Sequence, residues 1–286
     1  MMQAQPTAWI TGAGGLIGNY LVQSANAHAP NWNVQGLTRQ QMDLLDAAAV
    51  SRAFRDQRPQ LVIHCAAMTR TPLCQAEPEL AHRNNVEVTA LLTELAADIP
   101  FFFFSTDLVF DGQKGDYVES DPVNPISVYA QTKAEAEQIV LANPRHTVVR
   151  VGLNAGVSIT GDRAFNEQMR IAWEAGKTLD LFKDEFRCPI PAPVTARAVW
   201  ELAQVRATGI YHLCGNERLS RYEIGKLLAE RWPKLSPQIV AASSKSYQGA
   251  ARCPDVSMNC AKAQKLLSFP LPRFSEWLAA HPAERI

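Results

Sequence analysis

The stretch Thr11-Gly12-Ala13-Gly14-Gly15-Leu16-Ile17-Gly18 constrains this chain more than any other. It follows a short apolar run, Ala8–Thr11, and opens a segment with helical apolar spacing, Leu16–Ala27. Glycine lets a chain turn sharply, lets the backbone approach a neighbouring group closely, and lets a helix pack tightly on the strand before it. Gly12, Gly15 and Gly18 stand three apart, so all three uses fall within one strand-to-helix turn. The helix that follows offers free N–H groups and the positive end of its dipole, which suits a pyrophosphate. In this context the motif predicts a dinucleotide site, with a plain structural turn as the alternative.

The rest of the chain keeps that rhythm. Further strand candidates are Asn33–Leu37, Leu61–Cys65, Phe101–Ser105, Thr147–Val151, Leu179–Phe182 and Ile210–Leu213. Helical patterns fall between them at Ala47–Arg58, Glu79–Ala97, Val128–Leu141, Ala164–Ala175 and Thr195–Val205. This alternation predicts an α/β fold of Rossmann type, a doubly wound parallel sheet with helices on both faces. In the second helix Asp46 is the expected N-cap, Ala47, Val50 and Phe54 repeat at helical spacing, and Pro59 is the stop. No internal repeat or low-complexity linker marks off a second domain. The expected division is a nucleotide-binding domain over residues 1–150, then remaining sheet elements interleaved with a smaller C-terminal substrate-binding part over 151–286.

Charge excludes some partners. The 286 residues carry 28 basic and 28 acidic side chains without a long Lys/Arg run, so neither nucleic acid nor an anionic membrane is an expected partner. Apolar stretches such as Leu61–Met68 fall far short of the roughly 20 residues that span a bilayer. The first residues show no basic stretch followed by an apolar core, and a cytoplasmic location is expected. Six cysteines, Cys65, Cys74, Cys188, Cys214, Cys253 and Cys260, form no CxxC pair, so reduced thiols are expected and no metal. His212 and Cys214 alternate in an expected strand; core packing is the preferred reading over metal ligation.

Where NAD-binding folds usually place an acidic residue for the ribose 2′-hydroxyl, this chain reads Leu37-Thr38-Arg39-Gln40. Arg39 can pair with a 2′-phosphate and nothing there repels one, which predicts NADP(H) in preference to NAD(H). One charge-assisted contact is worth roughly 1.5–3 kcal/mol, on the order of ten- to a hundred-fold in affinity. A solvated surface arginine is the alternative.

The chemistry is expected from Tyr129-Ala130-Gln131-Thr132-Lys133, where Tyr129 and Lys133 share one helical face. A phenol with an ordinary pKa of about 10 needs a nearby ammonium and nicotinamide cation to lower it for acid-base work near neutrality. Lys133 can supply that charge and also bind the nicotinamide ribose. Ser105-Thr106-Asp107 ends the preceding strand, where the Thr106 hydroxyl can share a substrate carbonyl oxygen with Tyr129.

The run Phe104-Ser105-Thr106-Asp107-Leu108-Val109-Phe110-Asp111-Gly112, with Asn124-Pro125, Tyr129–Lys133 and the glycine spacing, resembles the dTDP-4-dehydrorhamnose reductases, a family of extended short-chain dehydrogenases. The resemblance resumes at Gly209–Leu213 and Ser220-Arg221-Tyr222-Glu223. It implies Thr106, Tyr129 and Lys133 as the catalytic set. It implies cofactor contacts from Gly12, Gly15, Leu16, Ile17 and Gly18, and from Cys65, Ala66 and Ala67, where relatives read Asn-Ala-Ala-Ala for His64–Ala67. Asp43 and Leu44 match an adenine-binding step, with a capping or loop role as the alternative. Asn85 matches a recurrent asparagine whose alternative is a helix-interior hydrogen bond.

The departures lie on the substrate side. Relatives follow the fifth strand with Arg-Thr-Ser-Trp, whereas this chain has Arg150-Val151-Gly152-Leu153-Asn154-Ala155-Gly156, and an expected aspartate is replaced around Ala196. The substrate candidates are Asp107, Asn154 and Arg187, the last as a diphosphate contact or a structural ion pair. The implied reaction is NADPH-dependent reduction of a 4-keto group on a nucleotide-linked 6-deoxysugar. A regulatory subunit resembling the methionine adenosyltransferase β subunit is one alternative. An epimerase or dehydratase is another, although the acidic pair of dehydratases is half present, Asp107 being followed by Leu108. A nucleotide-sugar substrate is the expected partner, with a homodimer left open.

Overall fold

The computed structural model describes residues 5–249 and 251–286. Its main strands are β1 (Thr7–Thr11), β2 (Asn33–Leu37), β3 (Leu61–His64), β4 (Phe101–Thr106), β5 (Thr147–Val151), β6 (Thr178–Phe182), β7 (Gly209–Leu213) and β8 (Gln238–Ala242). The longer helices are α1 (Leu16–His28), α2 (Ala47–Gln57), α3 (Val88–Leu95), α4 (Val128–Leu141), α5 (Phe165–Glu174), α6 (Ala192–Gln204), α7 (Arg221–Arg231) and α8 (Phe274–Ala280).

Six strands form one parallel sheet in the order β7-β5-β4-β3-β1-β2, the expected Rossmann architecture. The chain leaves β1 for β2 on one side and returns to β3 on the other, so a crevice opens at the carboxyl ends of β1 and β3, the place where such sheets bind ligands. Strand β4 shows why the sequence reads as continuous apolar runs. Phe101 and Phe103 pack into the layer holding Trp9, Val62, Leu92 and Val148, while Phe102 and Phe104 pack into the opposite layer with Ile10, Leu21, Ile63 and Trp200. With both faces covered by helices, alternation cannot appear in the sequence. Each such side chain contributes about 1.5–3 kcal/mol by leaving water.

The Asp46 cap forms as expected, its carboxylate accepting from the Ala49 amide at 2.9 Å. Arg58, left-handed at φ 47°, then closes α2 before Pro59. The helix expected over Glu79–Ala97 forms as one continuous run from Pro78 to Leu95, with a π-helical turn at Arg83–Glu87 leading into α3. A separate short helix, Thr71–Ala76, precedes it. Asn85 lies in the π-helical turn, and its amide accepts from the Met68 amide at 2.8 Å and donates to the Met68 carbonyl at 3.0 Å and to the Thr132 hydroxyl at 2.9 Å. Its hydrogen bonds therefore leave the helix, correcting the helix-interior alternative. Single π turns of this kind often mark functional sites.

The late elements build a second, smaller layer. The strand expected at Leu179–Phe182 forms as β6 but pairs in parallel with β8 outside the main sheet. Trp173, Leu181, Ile224, Leu228, Phe274 and Trp277 make a separate core beneath it. Helix α7 begins in a capping box, the Ser220 hydroxyl accepting from the Glu223 amide at 3.1 Å while the Glu223 carboxylate accepts from the Ser220 amide at 2.7 Å. Among the described residues no helix is long and apolar enough to cross a membrane.

Candidate active site

The glycine turn closes on the end of β3. Gly12 has φ +70°, and a Cβ there would lie 2.7 Å from the Ala66 amide nitrogen. A side chain at Gly18 would overlap the Gly12 carbonyl, and the Gly15 amide donates to that same oxygen at 2.8 Å. The turn is thus bare of side chains where the main chain comes closest, and Leu16 and Ile17 open α1 directly beyond it.

A buried histidine braces this junction. The Thr89 hydroxyl donates to the Asn85 carbonyl at 2.7 Å, so it accepts from His64 Nε2 at 3.2 Å. His64 Nδ1 then accepts from the Thr11 hydroxyl at 2.7 Å, and the Thr11 oxygen accepts from the Ala66 amide at 3.3 Å. Burial, with the Lys133 charge nearby, pushes His64 down to about 3 and keeps it neutral. Cys65, Ala66 and Ala67 follow directly, half-buried at the mouth of the crevice.

Arg39 is exposed just past β2, and no ion pair involves it among the described residues. The end of β2 touches the glycine turn, the Ala13 amide donating to the Leu37 carbonyl at 3.2 Å. Asp43 accepts from the Leu45 amide at 3.1 Å, and Leu44 packs against the layer holding Trp9. In this structure Asp43 therefore serves its own loop.

Thr106 and Tyr129 come together as expected, lining one cleft of about 380 Å³ with Ile17, Asn154, Arg187, Arg221 and others. Tyr129 and Lys133 lie on α4, whose Ser127 cap accepts from the Ala130 amide at 3.3 Å. Burial pushes the Tyr129 phenol above its usual range, against a hydrogen bond with Thr106. Lys133 alone therefore does not give the lowering expected from the lysine and a nicotinamide cation together. Lys133 is itself 2% exposed, its Nζ 3.8 Å from the Phe103 ring centroid, and burial lowers it to about 7 despite Glu137. A lysine that carries its charge at such cost is a weak acidifier of its neighbour, so the phenol holds its proton at neutral pH.

Beside Thr106, the Asp107 carboxylate accepts from the Thr106 hydroxyl at 3.2 Å, and burial raises its pKa against the opposing Arg187 guanidinium at 3.9 Å. Arg187 also approaches Glu185 at 3.3 Å and donates to the Phe186 carbonyl at 3.2 Å. It lines the cleft and belongs to an ion-pair cluster, the structural reading of that residue. Asn154 lines the cleft with its amide engaged, donating to the Gly152 carbonyl at 2.9 Å and accepting from the Thr195 hydroxyl at 2.7 Å.

Sequence reasoning missed two arginines here. Arg252 is ion-paired with Glu185, its Nη2 2.9 Å from one carboxylate oxygen. Arg221 forms no ion pair among the described residues, and burial lowers it to about 10. The three arginines of the cleft face only two carboxylates, Asp107 and Glu185, which leaves positive charge in excess. The capping signal of Ser220 and Glu223 could have placed Arg221 at the first turn of a helix; Arg252 lies in an irregular segment with no comparable signal.

His212 and Cys214 are buried by packing. The His212 Nδ1 proton goes to the Tyr117 carbonyl at 3.1 Å, leaving Nε2 to accept from Arg150 at 3.4 Å. Arg150 in turn makes a buried pair with Glu137 at 2.7 Å.

A parallel sheet with a bare glycine turn at its switch point, and a threonine, a tyrosine and a lysine gathered from β4 and α4, define an extended short-chain dehydrogenase. The family model described as RmlD substrate binding domain matches residues 7–284, and the chain belongs to that family. Methionine adenosyltransferase 2 subunit beta of Xenopus laevis is 29% identical over 275 residues, 91% of this chain and 82% of that protein. The dTDP-4-dehydrorhamnose reductase of Sinorhizobium fredii is 29% identical over 282 residues, 93% of each chain. The crystal structure of dTDP-4-dehydrorhamnose reductase from Bacillus anthracis in complex with NADP superposes with a TM-score of 0.89, covering 97% of this chain and 98% of that one. At 20% identity that last likeness is one of fold.

Proposed function

We propose that this protein reduces the carbonyl of a nucleotide-linked 4-keto-6-deoxysugar with NADPH, residues 1–150 carrying the dinucleotide and 151–286 supplying most of the sugar-nucleotide contacts. The observation that carries this reading is one cleft holding the Thr106 and Tyr129 hydroxyls together with arginine in excess over carboxylate. A proton donor and a site for a diphosphate then face the same space. The bare turn at Gly12, where any Cβ would strike the Ala66 backbone, fits a closely held pyrophosphate.

Bound NADPH supplies the hydride. Tyr129, protonated at neutral pH, gives its proton to the carbonyl oxygen as the alkoxide forms, and Thr106 donates a hydrogen bond to that oxygen. Lys133 holds the nicotinamide ribose. Arg187 and Arg221 take the substrate diphosphate, and Asp107 and Asn154 border the sugar. The regulatory-subunit reading has support from the Xenopus relative, and the assay separates the two. Loss of NADPH absorbance with dTDP-4-dehydro-6-deoxy-L-mannose supports the reductase; NADPH binding without turnover of any keto sugar favours the subunit.

Arg221→Met is expected to raise KM for the sugar nucleotide on the order of ten- to a hundred-fold, the worth of one charge-assisted contact of roughly 1.5–3 kcal/mol, with kcat little changed. An unaltered KM removes Arg221 from the substrate. Arg39→Ala is expected to weaken NADPH binding by a similar factor and to leave NADH binding where it was. Equal losses for both nucleotides, read by fluorescence titration, would exclude a 2′-phosphate contact.

A further inference from the structure

Four of the six cysteines gather away from the hydroxyl groups of the cleft. Cys188, Cys214 and Cys253 are buried in one small core, and Cys260 packs against it from a half-exposed position. Cys214 ends just beyond β7, and Cys260 precedes the short helix Ala261–Gln264 of the C-terminal segment. Their sulfurs are 2.9 Å apart. The Cys214 amide also donates to the Cys260 sulfur at 3.1 Å, and the Cys214 thiol donates to the Met258 carbonyl at 3.3 Å. Two strands of hydrogen bonding therefore hold the thiols face to face. Among the described residues no group of three or more acidic, histidine or cysteine side chains is arranged to hold a metal ion.

The pair touches the cleft through Gly152. That glycine lines the cleft, and a Cβ built on it would lie 2.7 Å from Cys214 Cβ. Its amide donates to the Leu213 carbonyl, the residue before Cys214, at 3.0 Å. Closing the sulfur gap from 2.9 Å to the ~2.05 Å of a disulfide requires a combined shift of about 0.9 Å. Cys214 is fully buried with its Cβ against Gly152, so any movement of the Cys214 side chain bears on a residue that lines the cleft.

We propose that Cys214 and Cys260 are an oxidisable dithiol, a modification site at which a peroxide closes a disulfide and alters the neighbouring substrate cleft. Cys260, the more accessible thiol, attacks the peroxide oxygen, becoming a sulfenic acid and releasing water. The Cys214 sulfur then attacks the sulfenic sulfur, forming the S–S bond and releasing a second water. Two thiols and one hydrogen peroxide give one disulfide and two waters, with two electrons passing from sulfur to oxygen. A dithiol reductant reverses the change.

Formation of the bond is independent of the reductase reading; its effect on the cleft rests on that reading. The full-length protein would be treated with hydrogen peroxide, alkylated without reduction, digested and examined by mass spectrometry. A linked peptide joining Cys214 to Cys260, lost on treatment with dithiothreitol and absent from Cys260→Ser, is the expected result. Linkage of Cys214 to Cys188, or oxidation of Cys260 to the sulfinic acid with no link, overturns the site. Turnover of the keto sugar is expected to fall on oxidation and return with dithiothreitol, while Cys260→Ser keeps its starting rate throughout. A complete disulfide with unchanged turnover overturns the coupling to the cleft and leaves the reductase reading untouched.

Discussion

Tyr129→Phe is expected to cut turnover by roughly 10²–10⁴-fold, the usual worth of one positioned proton donor, while NADPH binds as before. The ring of Tyr129 is buried, so its packing survives the loss of a single oxygen and the fold should not change. Only the proton is removed. Thr106 remains to polarise the carbonyl, which is why a residue of activity is expected in place of none. The comparison to make is kcat in both proteins with NADPH binding measured separately; equal kcat values would take Tyr129 out of the reaction. Because burial holds the phenol above its usual range, the wild-type rate should show no loss of the proton donor as pH rises from 7 to about 9, a range below the ordinary phenol pKa of about 10.

Acid should weaken the fold well before the carboxylates titrate. Burial lowers both His64 and His212 from 6.5 to about 3, the latter with Arg150 adding to the effect. Above pH 6.5 folded and unfolded chains both hold these rings neutral, and pH has no leverage through them. Below it the unfolded chain takes up protons that the folded one refuses, so stability is lost as pH falls from 6.5 towards about 3. Each ring costs up to about 1.4 kcal/mol per pH unit, giving together about 4 kcal/mol between pH 6.5 and 5. That is from about a quarter to about four-fifths of the roughly 5–15 kcal/mol typical of a domain. Urea midpoints taken across this window should fall steeply, and His212→Gln should flatten the slope by about half. A midpoint that stays level from pH 6.5 to about 5 would show that the rings protonate in place.

The sheet and its crevice were legible because their signals are local. The glycines at 12, 15 and 18 and the apolar runs of β1 to β5 each act on their own neighbours, and those strands form where expected. Thr106 and Tyr129 were legible for the same reason, each sitting at a fixed offset from the end of a strand or the start of a helix. What escaped depends on distant partners. Asn85 turns its side chain to Met68 and Thr132, far from it in sequence, and nothing in the run Glu79–Ala97 announces them. The pairing of β6 with β8 is likewise a long-range choice. For Tyr129, sequence shows that a lysine lies four residues on, but not that both groups are shut away from water, where desolvation is the largest influence on each. Arg252 reaches the cleft from an irregular segment, and only the folded chain brings it to Glu185.

The hydrophobic interior is divided among several clusters of side chains. The four phenylalanines of β4 tie the helices on both faces of the sheet to the strand that presents Thr106. Residues bordering the outer cleft, among them Arg221 on α7, stand on the separate core of Trp173, Ile224 and Phe274. Val194 packs against this core and against the layer of Phe102 and Phe104, and joins them. Substitutions beneath Arg221 nevertheless fall on a different set of packed side chains from those beneath Thr106.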